Sequence, residues 1–285
     1  MKANFSGNTM KMNQWAAVAA LLLGSLASSA HAHELLLKSL RPPTAGRPTT
    51  FIVSNGDIDK SINSTPWGDV EDARIVGPRS AIHVAAPDWI VGEKTSSFHH
   101  TFMANGSYLL GVSTKPKVFV FSGQQFSEYL KEEHIEVAGR WPDGRTADAP
   151  IRERYAKHAL AIVQLGARPA QRFRKTLGYP VEIRLQADPA RLRPGQKLTV
   201  QVLAFGKPAA NQIVLGGYEG YGHDAKGEPT NLLNLRTNAA GFAEFEVTTQ
   251  GRWALHLVNM RPCDDPECDV ESHYATVLFD IVARP

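Results

Sequence analysis

The chain has 285 residues, with 31 Lys and Arg against 28 Asp and Glu, for a net charge of +3. That near balance, with no basic stripe carrying interleaved aromatics, argues against a nucleic-acid-binding surface. The length suits two modest domains or one large one.

Lys2 and Lys11 precede an apolar run over 16–27, and Ala30-His31-Ala32 is a small-x-small cleavage site. This is the pattern of a secretory signal peptide over residues 1–32, with a run too short to span a bilayer. Cleavage after Ala32 removes two lysines and no acid, so the net charge falls from +3 to +1. No second long apolar stretch follows, so the exported chain is expected to be soluble, with no membrane span.

Short apolar or alternating runs follow at 34–40, 49–54, 81–86, 97–103, 107–112 and 117–121. Asn55-Gly56-Asp57, Gly77-Pro78 and Asn105-Gly106 punctuate them as turns. Residues 124–134 place Phe126, Tyr129 and Leu130 at helical spacing among Glu and Lys, which predicts one helix. Trp141-Pro142-Asp143-Gly144 reads as a loop. The stretch 151–166 starts charged and becomes apolar; its second half reads as a strand returning to the first domain. A boundary falls near 176–180. Beyond it, alternating runs at 181–185, 197–204, 211–216, 232–236, 242–248, 253–259 and 272–282 are separated by Gly, Pro and Asn turns. Strands at that spacing predict an immunoglobulin-like sandwich. The expected class is therefore mainly all-β: a signal peptide over 1–32, a β-rich N-terminal domain over 33–177 with one short helix, and an Ig-like β-sandwich over 178–285. The glycine-rich stretch 216–227 lacks the strand-to-helix setting of a phosphate loop and reads as surface.

Cys263 and Cys268 are the two cysteines. Export puts them in an oxidising compartment, so a disulfide closing a small loop is expected; a thiolate metal pair is the rival reading. Asp264, Asp265, Glu267 and Asp269 surround them. They lack the spacing of a calcium loop and read as a solvated acidic loop. The spread of Trp67, Trp89, Trp141 and Trp253 reads as core and boundary packing.

Several segments, in order, carry a resemblance to a known family. They are Ala32-His33-Glu34; Phe126-x-x-Tyr129-Leu130-x-Glu132-Glu133; Arg152-Glu153-Arg154-Tyr155-Ala156-Lys157; Leu177-Gly178-Tyr179-Pro180-Val181-Glu182-Ile183; Gly251-Arg252-Trp253; and Glu271-Ser272-x-x-Ala275-Thr276-x-x-Phe279. Together they resemble the periplasmic domain-of-unknown-function 4198 family, described as the periplasmic component of cobalt or nickel uptake. The resemblance implies a β-rich domain followed by an Ig-like one, a periplasmic location, and handling of divalent transition metals. It also implies histidines near the first turn and near the strand ending at Asn259, where this chain carries Asn55-Gly56-Asp57 and Asn259.

His33 is the expected first residue of the exported chain. Its α-amine and imidazole close one chelate ring on a metal ion. A third nitrogen would complete a site suited to copper(II) or nickel(II). The candidates are His83, His99, His100, His256 and His273. His99 and His100 are adjacent on a strand and point to opposite faces, so at most one joins. His273 stands beside Glu271. His256 alternates with Leu255 and Leu257 and so faces away from that core. His134 and His158 read as surface residues. The metal set taken forward is His33, His273, His99 and His83. Any one of these histidines alone is as readily a half-exposed polar residue of a β-protein. Cleavage after Ala30 would instead leave His31-Ala32-His33, a second kind of terminal chelate for copper(II) or nickel(II).

No Gly-x-Ser-x-Gly elbow and no His-Glu-x-x-His helix occurs. The expected role is therefore binding, not catalysis: a divalent transition-metal protein (nickel, cobalt or copper) that serves an inner-membrane metal transporter. The alternatives are an Ig-like interaction module without metal, and a copper-dependent oxidative enzyme, which also uses a terminal histidine.

Overall fold

The computed structural model of the protein describes residues 34–135, 149–166, 171–222 and 232–282. Among them are eighteen strands and one α-helix, so the chain is mainly β. The N-terminal strands are β1 (Glu34–Ser39), β2 (Pro48–Gly56), β3 (Ser61–Asn63), β4 (Val70–Val76), β5 (Ala81–His83), β6 (Ile90–Val91), β7 (Thr95–Thr101), β8 (Gly106–Thr114) and β9 (Lys117–Phe121). Helix α1 (Gly123–Glu132) leads towards β10 (Ile151–Leu165). The remaining strands are β11 (Val181–Leu185), β12 (Lys197–Ala204), β13 (Lys207–Pro208), β14 (Ile213–Tyr218), β15 (Leu233–Arg236), β16 (Phe242–Glu246), β17 (Gly251–Pro262) and β18 (Val270–Ile281).

They form three sheets. The first has the order β1-β2-β7-β6, with β3 also on β2. The second, with nine strands, runs β15-β14-β17-β18-β10-β8-β4-β5, with β9 also on β10. The third joins β11, β12 and β13, with β16 on the other side of β12. Every pairing is antiparallel except β10 with β18, where Glu153 to Ile162 run parallel to Val270 to Phe279.

That parallel pairing has two consequences. The division expected at 177/178 is crossed by the central sheet, and the described residues belong to one compact unit, His31–Pro285. Strand β10 also extends over its charged start, Ile151 to Lys157, where only the apolar second half was expected as strand. The reason lies in its neighbours: β9 pairs with Ile151–Tyr155 and β8 with His158–Leu165, so both halves have a ladder.

The apolar run of β10 is buried on both faces, as a central strand of a covered sheet must be. Ala159, Ala161 and Val163 join Leu35, Phe51, Val53 and Phe98 of the first sheet in one core. Leu160 and Ile162 point the other way, into a second core with Val181, Ile183, Val200, Trp253, Leu255 and Val277. The C-terminal part is thus a two-sheet sandwich, consistent with the Ig-like expectation, and one of its sheets continues into the N-terminal half. Gly111 on β8 has a packing reason: a Cβ there would overlap Leu177 and Tyr179. Strand β4 is not evident from the sequence, because its polar Glu71 and Asp72 interrupt the apolar pattern of an otherwise half-buried strand.

Candidate metal centre

Three elements converge on one face of the central sheet. On β17, Leu255 and Leu257 enter the sandwich core, so His256 between them projects from the opposite face. Lys157 of β10 and Tyr274 of β18 are register partners, two rows from the pairing of His256 with Thr276. Strand β1 crosses this face. The Thr276 hydroxyl donates to the Leu35 carbonyl at 2.6 Å, and Leu36 packs on Ala254 and Leu278. The crossing sets Glu34, the first residue of β1, beside His256, with Oε1 2.7 Å from Nδ1.

Helix α1 supplies the third group. Ser122 caps it with a reciprocal capping box to Gln125, and its buried Phe126 and Tyr129 fix its pose. The Phe121 ring stacks on Tyr129 at 5.2 Å. The helix ends as His134 takes a left-handed φ of 51°. That places Glu133, the C-cap residue, over the same sheet face. Glu34, Glu133 and His256 each offer a ligand atom within 4.8 Å of the others.

Deeper on this face is a tyrosine–carboxylate cluster. The Tyr129 hydroxyl donates to Glu153 Oε1 at 3.1 Å, and the Tyr274 hydroxyl lies 3.3 Å from the same oxygen. The Lys157 ammonium donates to Asn55 Oδ1 at 3.4 Å. It stands 5.8 Å from the Tyr155 ring and 5.7 Å from the Tyr274 ring.

The electrostatics follow from burying five ionisable groups together. Burial, then the Glu34 charge, pushes the Glu133 carboxyl up to about 8. Burial pulls Lys157 down to about 8, against the pull of Glu34, Glu153 and Glu133. Glu34 resists burial, because the His256 charge and hydrogen bond hold its carboxyl below the usual value. His256 is held above its usual value, against burial, by the same partner. Burial raises Glu153. Two carboxyl groups and an imidazole gathered within 4.8 Å, one carboxyl raised by burial and then by its neighbour's charge, make an arrangement whose charge a divalent cation could balance.

Of the histidine candidates, His256 belongs to this group, while His83, His99, His100 and His273 lie apart from it. His33 lies outside the described residues. His83 is exposed on β5, 3.3 Å from Asp72 Oδ1. His99 is exposed on β7 and shares a 3.0 Å hydrogen bond with Thr50 Oγ1. His100 turns the other way, edge-on to Phe102 at 4.6 Å, as the strand geometry predicts. His273 is buried on the sandwich side of β18, with Nδ1 3.0 Å from Nε2 of His158. His158 in turn shares a 2.9 Å hydrogen bond with Ser113. The surface reading of His158 is therefore wrong: it is buried, stacked on Tyr179, and its pKa falls to about 3 by burial and then the His273 charge. Around His273, Glu271 is paired with both Arg154 and Arg261.

Cys263 and Cys268 form the expected disulfide. Two of the surrounding acids are anchored: Asp269 on Arg152 at 3.2 Å and Asp265 on Arg154 at 3.0 Å. Trp253 and Trp89 are buried, and Trp141 lies outside the described residues. Among the described residues no helix is long and apolar enough to cross a membrane.

Glu34 and Glu133 are not among the ligands expected from the sequence, and His256 is one of several histidine candidates. The available signal was His256's place between two core leucines. The model of the family called Domain of unknown function (DUF4198) matches residues 30–261, a span that holds Glu34, Glu133, Lys157 and His256. The chain belongs to the DUF4198 family. No curated protein matches this DUF4198 chain. Among solved structures, it shows a likeness to Salmonella alpha-2-macroglobulin reacted with methylamine, at 9% identity and a TM-score of 0.21, covering 89% of this chain and 15% of that one. Native E. coli alpha-2-macroglobulin gives 10% identity and a TM-score of 0.19, over 87% of this chain and 16% of that one. A putative membrane-anchored protein from Corynebacterium diphtheriae gives 9% and 0.18, over 88% and 54%. The DUF4198 chain thus spans a small part of the macroglobulins' length.

Proposed function

We propose that this is an exported periplasmic protein that binds one divalent transition-metal ion through Glu34, Glu133 and His256 and delivers it to an inner-membrane transporter. One observation carries the reading: the convergence of these three side chains from β1, α1 and β17. One imidazole nitrogen and two carboxylate oxygens suit borderline divalent ions; nickel and cobalt fit better than copper(I), which takes softer ligands. The C-terminal end of α1 adds a negative dipole where a cation would sit. Three protein donors leave coordination positions open, as exchange with a second protein requires. In sequence His33 directly precedes Glu34, so cleavage after Ala32 would add an amine and a second imidazole next to a ligand. The role is binding and delivery, not catalysis.

The test is titration of the exported protein with nickel(II), cobalt(II) and copper(II), with its intact mass measured to fix the first residue. Binding with a Kd below ~10 μM, lost in Glu133→Ala and His256→Ala, supports the reading. Binding that survives both changes removes it. A deletion strain that keeps normal nickel and cobalt content under starvation removes the delivery role. A second reading, a protein-interaction module, draws on β9, whose Val118, Phe119 and Val120 are exposed on a strand with one ladder partner among the described residues. The absence of any metal binding tighter than ~10 μM would favour it.

A further inference from the structure

We propose that Lys157 is the resident cation of this centre: its ammonium balances the carboxylates when no metal is bound and speeds the metal's release. The inference rests on the reading of Glu34, Glu133 and His256 as a metal site. Three carboxyl groups gather on this sheet face, from Glu34, Glu133 and Glu153; Lys157 stands on the same face, 5.7 Å from the ring of Tyr274, whose hydroxyl meets Glu153 Oε1 at 3.3 Å, and the charges of all three act on it. His256 is committed to Glu34 at 2.7 Å. Lys157 is thus a second basic group that the protein itself places among these acids.

Its stem and surroundings suit an exchangeable charge. A lysine ammonium is a compact point charge on a flexible four-carbon stem, unlike the rigid fork of arginine. A divalent ion entering between Glu34 and Glu133 would repel it across a few ångströms of poorly solvated interior. In the metal-free structure the ammonium already rests beside the Tyr155 and Tyr274 rings, 5.8 and 5.7 Å from Nζ, and donates to Asn55 Oδ1 at 3.4 Å, contacts it can keep while an ion binds. The ammonium then stays close enough to weaken the bound metal and to reclaim the carboxylates when the ion leaves. A delivery protein needs that property, since a site that never lets go delivers nothing.

The test compares nickel(II) affinity and chelator-driven release rate in the parent, Lys157→Met, Lys157→Arg and His256→Ala forms of the exported protein. Lys157→Met keeps the stem and removes the charge. It is expected to bind nickel(II) at least about tenfold more tightly, chiefly through slower release. Lys157→Arg is expected to stay within about threefold of the parent, since it keeps the charge. Equal or weaker binding in Lys157→Met, with binding in the parent intact, overturns the role of Lys157 and leaves the site reading standing. No binding in either form overturns both. If Lys157→Met does not fold metal-free, Lys157→Gln is used beside it. Folding of these neutral forms restored by nickel(II) supports the proposal, and failure of nickel(II) to restore it counts against it.

Discussion

Replacing Glu133 by Gln should stabilise the metal-free protein at neutral pH. Burial, then the Glu34 charge, holds the folded carboxyl at about 8 against an ordinary 4.5. Between those values the unfolded chain ionises the group while the folded chain keeps the proton. The unfolded state therefore gains with rising pH, and the folded protein loses about 1.4 kcal/mol per unit across that window. From 4.5 to 7 that amounts to roughly 3 kcal/mol, and solvent reaching the partly exposed side chain trims it to about 2. Glutamine keeps the shape and cannot ionise. Urea unfolding after chelator treatment should show Glu133→Gln more stable than the parent by about 2 kcal/mol at pH 7, and by about 0.5 kcal/mol at pH 5. Saturating nickel(II) should reverse the order at pH 7, because the parent gains a carboxylate ligand that the variant lacks. A variant less stable than the parent at pH 7 without metal, or equally shifted at both pH values, would refute the reasoning.

Burial and then His273 hold the His158 imidazole at about 3 against 6.5. Below 6.5 the unfolded chain takes up a proton that the folded chain refuses, so stability falls as pH drops, by about 2 kcal/mol at pH 5. His158→Gln should flatten that acid arm in urea titrations at pH 7 and pH 5. Changing Cys263 and Cys268 to Ser removes a small-loop crosslink and should cost about 2 kcal/mol, read as a lower urea midpoint that reductant no longer shifts. Trp253→Ala empties a fully buried position in the sandwich core and should cost about 3–5 kcal/mol in the same assay.

The ends of strands and the turns between them are local properties, and the sequence carries them. Alternation at 181–185 and 197–204 and the apolar spacing of Phe126 and Tyr129 correspond to β11, β12 and α1. Alternation also told that His99 and His100 diverge and that His256 leaves the leucine core. Where a side chain's partner comes from a distant element, periodicity is silent. His158 carries charged neighbours in sequence, Lys157 among them, and reads as exposed. Its burial comes from Ser113, Tyr179 and His273, which lie 21 to 115 positions away. For the same reason, the charged start of β10 does not read as strand. Its Glu153 and Lys157 are accommodated by tyrosines and acids that α1, β1 and β18 bring to one face.

By itself the sequence determined a mainly β chain, the place of helix α1, the disulfide pair and the face on which His256 lies, because each depends on spacing within a few residues. It also placed His33 next to Glu34. The tertiary structure decided that the two halves share one sheet, since the β10–β18 ladder joins residues more than a hundred positions apart. It also decided which residues meet at the candidate centre. Glu34, Glu133 and His256 converge because β1 crosses β18 and α1 ends above β17's outer face, and no local pattern encodes that crossing.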